Sequence, residues 1–109
     1  MKREVGVWID HRKAVIATLA GADETVGQAA AHADSSALDQ YYDTVIARIR
    51  DADSILIFGP GEARVELKER LDKHLLGGLI VGSEPADKMS GRQIAAKVRR
   101  HFQKSDPKL

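Results

Sequence analysis

Ser54-Ile55-Leu56-Ile57-Phe58-Gly59-Pro60-Gly61-Glu62 is the most informative stretch of the chain. Four consecutive apolar residues without polar alternation indicate a strand covered on both faces, which predicts a central strand parallel to a neighbour. Gly59-Pro60-Gly61 breaks the run abruptly. A helix is predicted over roughly 62–74, with Ala63, Leu67 and Leu71 on one face and Gly77-Gly78 as its stop. Leu79-Ile80-Val81 reads as a further short strand, and Gly82 to Asp87 as a loop containing Pro85. Ser90 is placed to cap a last helix carrying Ile94, Val98 and Phe102 at four-residue spacing.

Upstream, residues 5–9 (Val-Gly-Val-Trp-Ile) and 14–19 (Ala-Val-Ile-Ala-Thr-Leu) are rich in β-branched and aromatic residues. They flank the polar tetrad Asp10-His11-Arg12-Lys13, so they read as an antiparallel hairpin. Gly21-Ala22-Asp23 is a second turn. Residues 24–32 are expected to form a weak third strand, because Gly27 and three alanines lower its propensity. Ser35 or Ser36 is placed to cap a helix with Leu38, Tyr41, Tyr42, Val45, Ile46 and Ile49 on one stripe, ended by Asp51-Ala52-Asp53. The order β-β-(β)-α-β-α-β-α predicts an α/β domain with a five-stranded mixed sheet, of ribosomal-protein-like or ribonuclease H-like topology.

At 109 residues the chain fits one domain over 1–109, with a frayed tail over 104–109. Its composition, 43% hydrophobic and 30% charged, is globular. The absence of cysteine excludes disulfides, zinc ribbons and thiol nucleophiles. No apolar run is long enough for a bilayer span or a signal peptide, so a cytoplasmic protein without a membrane partner is expected. The net charge of +1 conceals an asymmetry. Residues 88–109 carry seven basic residues and one acid, while residues 1–87 carry the other ten basic residues and fifteen acids. A cationic C-terminal helix is an ordinary solvated face or a polyanion-binding one.

Two loops hold residue types capable of chemistry. The Gly59-Pro60-Gly61 turn joins a strand's carboxyl end to a helix, where free amides attract anions, so Gly59 and Gly61 are candidate anion contacts. It matches neither phosphate-binding nor dinucleotide-binding glycine patterns, and no cofactor is expected. Asp10 at the end of the first strand is where ribonuclease H-like nucleases carry a metal-binding acid, with Asp39 or Asp43 and Glu62 as partners to complete a metal site. Asp is equally an ordinary turn residue. The four histidines form no ligand pair, and no Gly-x-Ser-x-Gly elbow is present, so no resident metal is expected. Trp8, Tyr41 and Tyr42 read as core, with one tyrosine hydroxyl reaching the rim.

Four stretches together carry a family resemblance: Val7-Trp8-Ile9-Asp10-His11-Arg12; Tyr41-Tyr42-Asp43; Ile55 to Glu62 with Glu66-Leu67; and Ala86-Asp87-Lys88-Met89 with Arg92-Gln93-Ile94-Ala95. Over roughly residues 5–102 the chain resembles small bacterial translational machinery proteins, which are related to the central domain of archaeal and eukaryotic release factors and of Pelota-type rescue factors. The resemblance implies a domain acting around ribosomes or tRNA. Release factors of that class place water at the peptidyl-tRNA ester with a Gly-Gly-Gln tripeptide. Here Val26-Gly27-Gln28 stands in about that place, with valine for the first glycine and no long basic loop. Pelota-type factors lack the glutamine motif and still bind ribosomes.

Three readings follow. The first is a non-catalytic ribosome- or RNA-binding module, with Arg92, Lys97, Arg99, Arg100 and Lys104 as contacts. The second is an enzyme, either a metal-dependent nuclease at Asp10 or a peptidyl-tRNA esterase using Gln28. The third is a homodimeric interaction domain without nucleic acid, burying a sheet edge or Leu75-Leu76.

Overall fold

A computed structural model of the chain describes residues 2–21, 23–30 and 38–104. Five strands and three helices follow in the order β1 (Arg3–Ile9), β2 (Lys13–Ala20), β3 (Asp23–Ala30), α1 (Leu38–Ile49), β4 (Ser54–Gly59), α2 (Ala63–Lys73), β5 (Ile80–Pro85) and α3 (Gly91–Lys104). The sheet order is β3-β2-β1-β4-β5. The first three strands pair antiparallel, and β4 lies parallel to both β1 and β5. The mixed five-stranded α/β sheet expected from the sequence is therefore present. The predicted serine caps at Ser35 and Ser36 and the tail beyond Lys104 lie outside the described residues.

The strand period divides the core. Val5, Val7, Ile9, Ile55 and Ile57 face α1 and α2, whereas Trp8, Val15, Leu56 and Phe58 face Ile94, Val98 and Phe102 of α3. All four residues of the Ile55–Phe58 run are fully buried, as a strand covered by helices on both faces requires. Gly6, on the α3 face of β1, lets that helix approach the sheet. A Cβ at residue 6 would overlap Val98 Cγ2.

Three boundaries differ from the sequence reading. The weak third strand is a full eight-residue ladder with β2. β5 runs through Pro85, so most of the stretch read as a loop is strand, paired with Leu56–Gly59. In both cases a neighbouring strand supplies the hydrogen bonds that local propensity does not favour, and Pro85 closes an edge strand, where a missing N–H is tolerated. α2 stops before its glycine pair. The Leu76 amide donates to the Leu71 carbonyl at 2.8 Å and the Leu75 amide to the Asp72 carbonyl at 3.0 Å. Leu75 holds φ 62°, the position usually taken by glycine in this helix stop.

Candidate functional site

α3 presents the cations. Its start is a reciprocal capping box: the Gln93 amide donates to Ser90 Oγ at 3.2 Å, and the Ser90 amide donates to Gln93 Oε1 at 2.9 Å. With one face given to Ile94, Ala95, Val98 and Phe102, the polar residues must occupy the solvent side. They separate onto two flanks. Lys97 leans toward β5 and pairs with Glu84 at 2.9 Å, its ammonium 5.5 Å from the centre of the Phe58 ring. Arg99 leans toward β3 and grips Glu24 through Nε at 2.9 Å and a terminal nitrogen at 3.3 Å. These hydrogen bonds hold both carboxyls below the usual carboxylate range. Arg92 and Arg100 are exposed and make no ion pair among the described residues. Lys104 ends the helix, and its side chain lies outside the described residues. Of the five cations singled out in the sequence, two are thus tied to acids that the sequence did not connect to them.

On the β5 side of α3 lies an open groove of about 400 Å³ lined by Lys88, Met89, Gln93, Ala96, Lys97 and Arg100. A smaller hollow bounded by Glu84, Lys97, Arg100 and His101 continues it. Lys88, Met89 and Gln93 belong to this surface although they were not among the predicted contacts. The charge pattern could have indicated Lys88 but not the other two.

The carboxyl edge of the parallel strands holds the other candidates. Asp10 Oδ1 accepts the amides of Arg12 and Lys13, each at 2.8 Å, and so closes the β1–β2 hairpin. Asp39 pairs with Arg70. No group of three or more acids and histidines is arranged to hold a metal among the described residues. Gly59 is buried, with φ +149° and its carbonyl accepting the Ala86 amide at 3.1 Å, so only Gly61 of the two glycines is at the surface. That bond joins the Gly59-Pro60-Gly61 turn to the segment that follows β5. Gly61 is not among the residues that line the groove holding Lys97 and Arg100. Gln28 sits within the edge strand β3, paired in register with Val15, and its carbonyl accepts a hydrogen bond from Arg48 at 2.8 Å.

Tyr41 and Tyr42 are core residues with polar tips. The Tyr41 hydroxyl donates to the Asp10 carbonyl at 2.9 Å, and that of Tyr42 to Glu66 Oε1 at 2.6 Å. His11 Nε2 stands 3.6 Å from the same Glu66 oxygen. Burial first pushes both phenols above their ordinary pKa. The Asp10 charge adds to this at Tyr41, and the Glu66 hydrogen bond adds at Tyr42. A raised folded pKa means that the unfolded chain ionises first. The stabilisation is therefore complete below pH of about 10 and is lost as pH rises beyond it. Because the chain has two tyrosines, phenolate absorbance reports on these two groups alone. In an alkaline titration that absorbance is expected to rise together with loss of near-UV circular dichroism. A phenolate step near pH 10 with the near-UV spectrum still native would contradict it.

With this architecture established, solved structures provide the comparison. The chain shares its fold with about a third of Pelota. Against Thermoplasma acidophilum Pelota the TM-score is 0.68 at 20% identity, covering 96% of this chain and 33% of that one. The archaeal translation termination factor aRF1 gives 0.57 at 13% identity, covering 94% of this chain and 39% of that one. Saccharomyces cerevisiae Dom34, described as a translation termination-like factor in RNA quality control that interacts with Hbs1, gives 0.60 at 12%, covering 89% and 32%. The chain thus spans about a third of the length of these proteins. No family model and no curated protein matches the sequence. Among the described residues no helix is long and apolar enough to cross a membrane.

Proposed function

We propose that the chain is a translation-associated, non-catalytic RNA-binding domain of the small translational machinery type, docking on the ribosome through the solvent face of α3. The observation that carries this reading is a fold shared with domains of translation termination factors, combined with exposed arginines on its last helix that make no ion pair among the described residues. The engagement of Asp10 Oδ1 by its own hairpin supports binding over metal-dependent hydrolysis at that residue.

Cosedimentation with ribosomes tests it. At low salt the protein is expected in the ribosome pellet. As salt rises it leaves, with log affinity falling by about 0.9 per log unit of salt for each phosphate neutralised. Absence from the pellet at low salt would remove the reading.

A further inference from the structure

The two flanks of α3 offer an anion very different surfaces. Arg99 is held through two nitrogens by Glu24, which ties the helix to the far edge strand β3. That grip occupies one edge of the guanidinium and pairs its charge, and Arg99 is not among the residues that line the groove on the other flank. Lys97 meets Glu84 through one 2.9 Å contact. An ammonium has three N–H donors, so two remain for another acceptor. Arg100 follows Lys97 at i+3 and Gln93 precedes it at i−4, which makes the three neighbours on one face. Lys88 closes the N-terminal end of the same groove, and Met89 and Ala96 give it uncharged wall between the cations.

Resting on the RNA-binding reading above, we infer that the α3–β5 groove is the RNA contact. Lys88, Lys97 and Arg100 hold backbone phosphates, Arg99 is a latch and not a contact, and Glu84 is a built-in competitor that attenuates binding. RNA fits this surface better than an acidic polypeptide does. The cations are spaced along an open track with apolar wall between them, which suits phosphates separated by sugars, and Gln93 adds a neutral hydrogen-bonding group.

Two substitutions of equal charge separate the groove from general electrostatics. Glu84→Gln and Glu24→Gln each raise the net charge by one, the first freeing Lys97 in the groove and the second freeing Arg99 on the opposite flank. Binding of a fluorescently labelled RNA hairpin is measured by anisotropy over a salt series, with circular dichroism confirming that each variant is folded. Glu84→Gln is expected to tighten binding at low salt and steepen the salt slope, whereas Glu24→Gln does neither. Arg100→Gln and Lys88→Gln should each lower the slope by about 1. If wild type binds the hairpin but the two glutamate variants behave alike, the groove assignment is overturned while the RNA-binding reading stands. If wild type fails to bind the hairpin at low salt, both fall. Tighter binding of poly-glutamate than of the hairpin would assign the groove to a protein partner and overturn the inference.

Discussion

Gly59→Ala is expected to cost the domain about 3–5 kcal/mol, roughly half of what a chain of this size has to lose. Two penalties coincide at this residue. Its φ of +149° is a conformation that side chains rarely adopt, costing about 1–2 kcal/mol. An added Cβ would also overlap the carbonyl oxygen of Ile9 in the adjacent strand, with the Ile9 nitrogen 3.1 Å away. That obstacle is backbone in a paired strand and cannot rotate aside as a side chain could. Overpacking of this kind costs about 1–3 kcal/mol or more. Gly61, two residues on, is the internal control. Its φ is +69°, but a Cβ there meets nothing within 4 Å, so Gly61→Ala should cost only about 1 kcal/mol. Urea unfolding of both variants decides the matter, with a midpoint shift of roughly 2 M expected for Gly59→Ala and well under 1 M for Gly61→Ala. Equal shifts would mean that left-handed geometry alone, and not the close approach of β1 to β4, sets the requirement for glycine.

The same turn shows how far the sequence could be read. An uninterrupted Ile55–Phe58 run can only be buried on both sides, so the central strand and its parallel neighbours were legible from local pattern. The β-branched and aromatic content of β1 and β2 was legible in the same way. What was not legible depends on contacts distant in sequence. β3 and the second half of β5 are strands because a partner pairs with them, and neither has the composition to announce it. Leu75 ends α2 in a left-handed conformation that no propensity would assign to leucine, because the motif's hydrogen bonds and the turn that follows hold it there. For the candidate site, the residue types on α3 were visible but their availability was not. Glu24 lies 75 positions before Arg99, and nothing local links them. Whether Asp10 serves its own hairpin or a metal is not written in the local pattern, since both use the same residue type.

The placement of α3 itself rests on one absent side chain. Gly6→Ala would put a methyl group into Val98, whose Cβ and Cγ1 both stand 3.1 Å from the position that methyl would take. No rotation of Val98 clears it, since its branching atoms crowd the same point. The helix must therefore lift or tilt, and the expected loss is about 2–4 kcal/mol. Val98→Ala alone opens a cavity costing about 2 kcal/mol. Combined, the two changes complement each other, the new methyl occupying space the valine has vacated. The double variant should consequently be more stable than the sum of the single losses by about 2 kcal/mol, within the range seen for directly packed pairs. A thermal or urea double-mutant cycle reads this coupling, and additive losses would show that α3 is not seated on Gly6. Trp8 Nε1 donates to the Asp87 carbonyl just before α3, and Arg99 and Glu24 tie the helix down further along. Lifting its middle strains both attachments. Gly6→Ala should accordingly disturb the cation row without touching any of its members, and Val98→Ala added to it, which removes both Cγ atoms and leaves only the 3.1 Å Cβ approach, should recover most of the helix seat and of the salt-dependent RNA affinity.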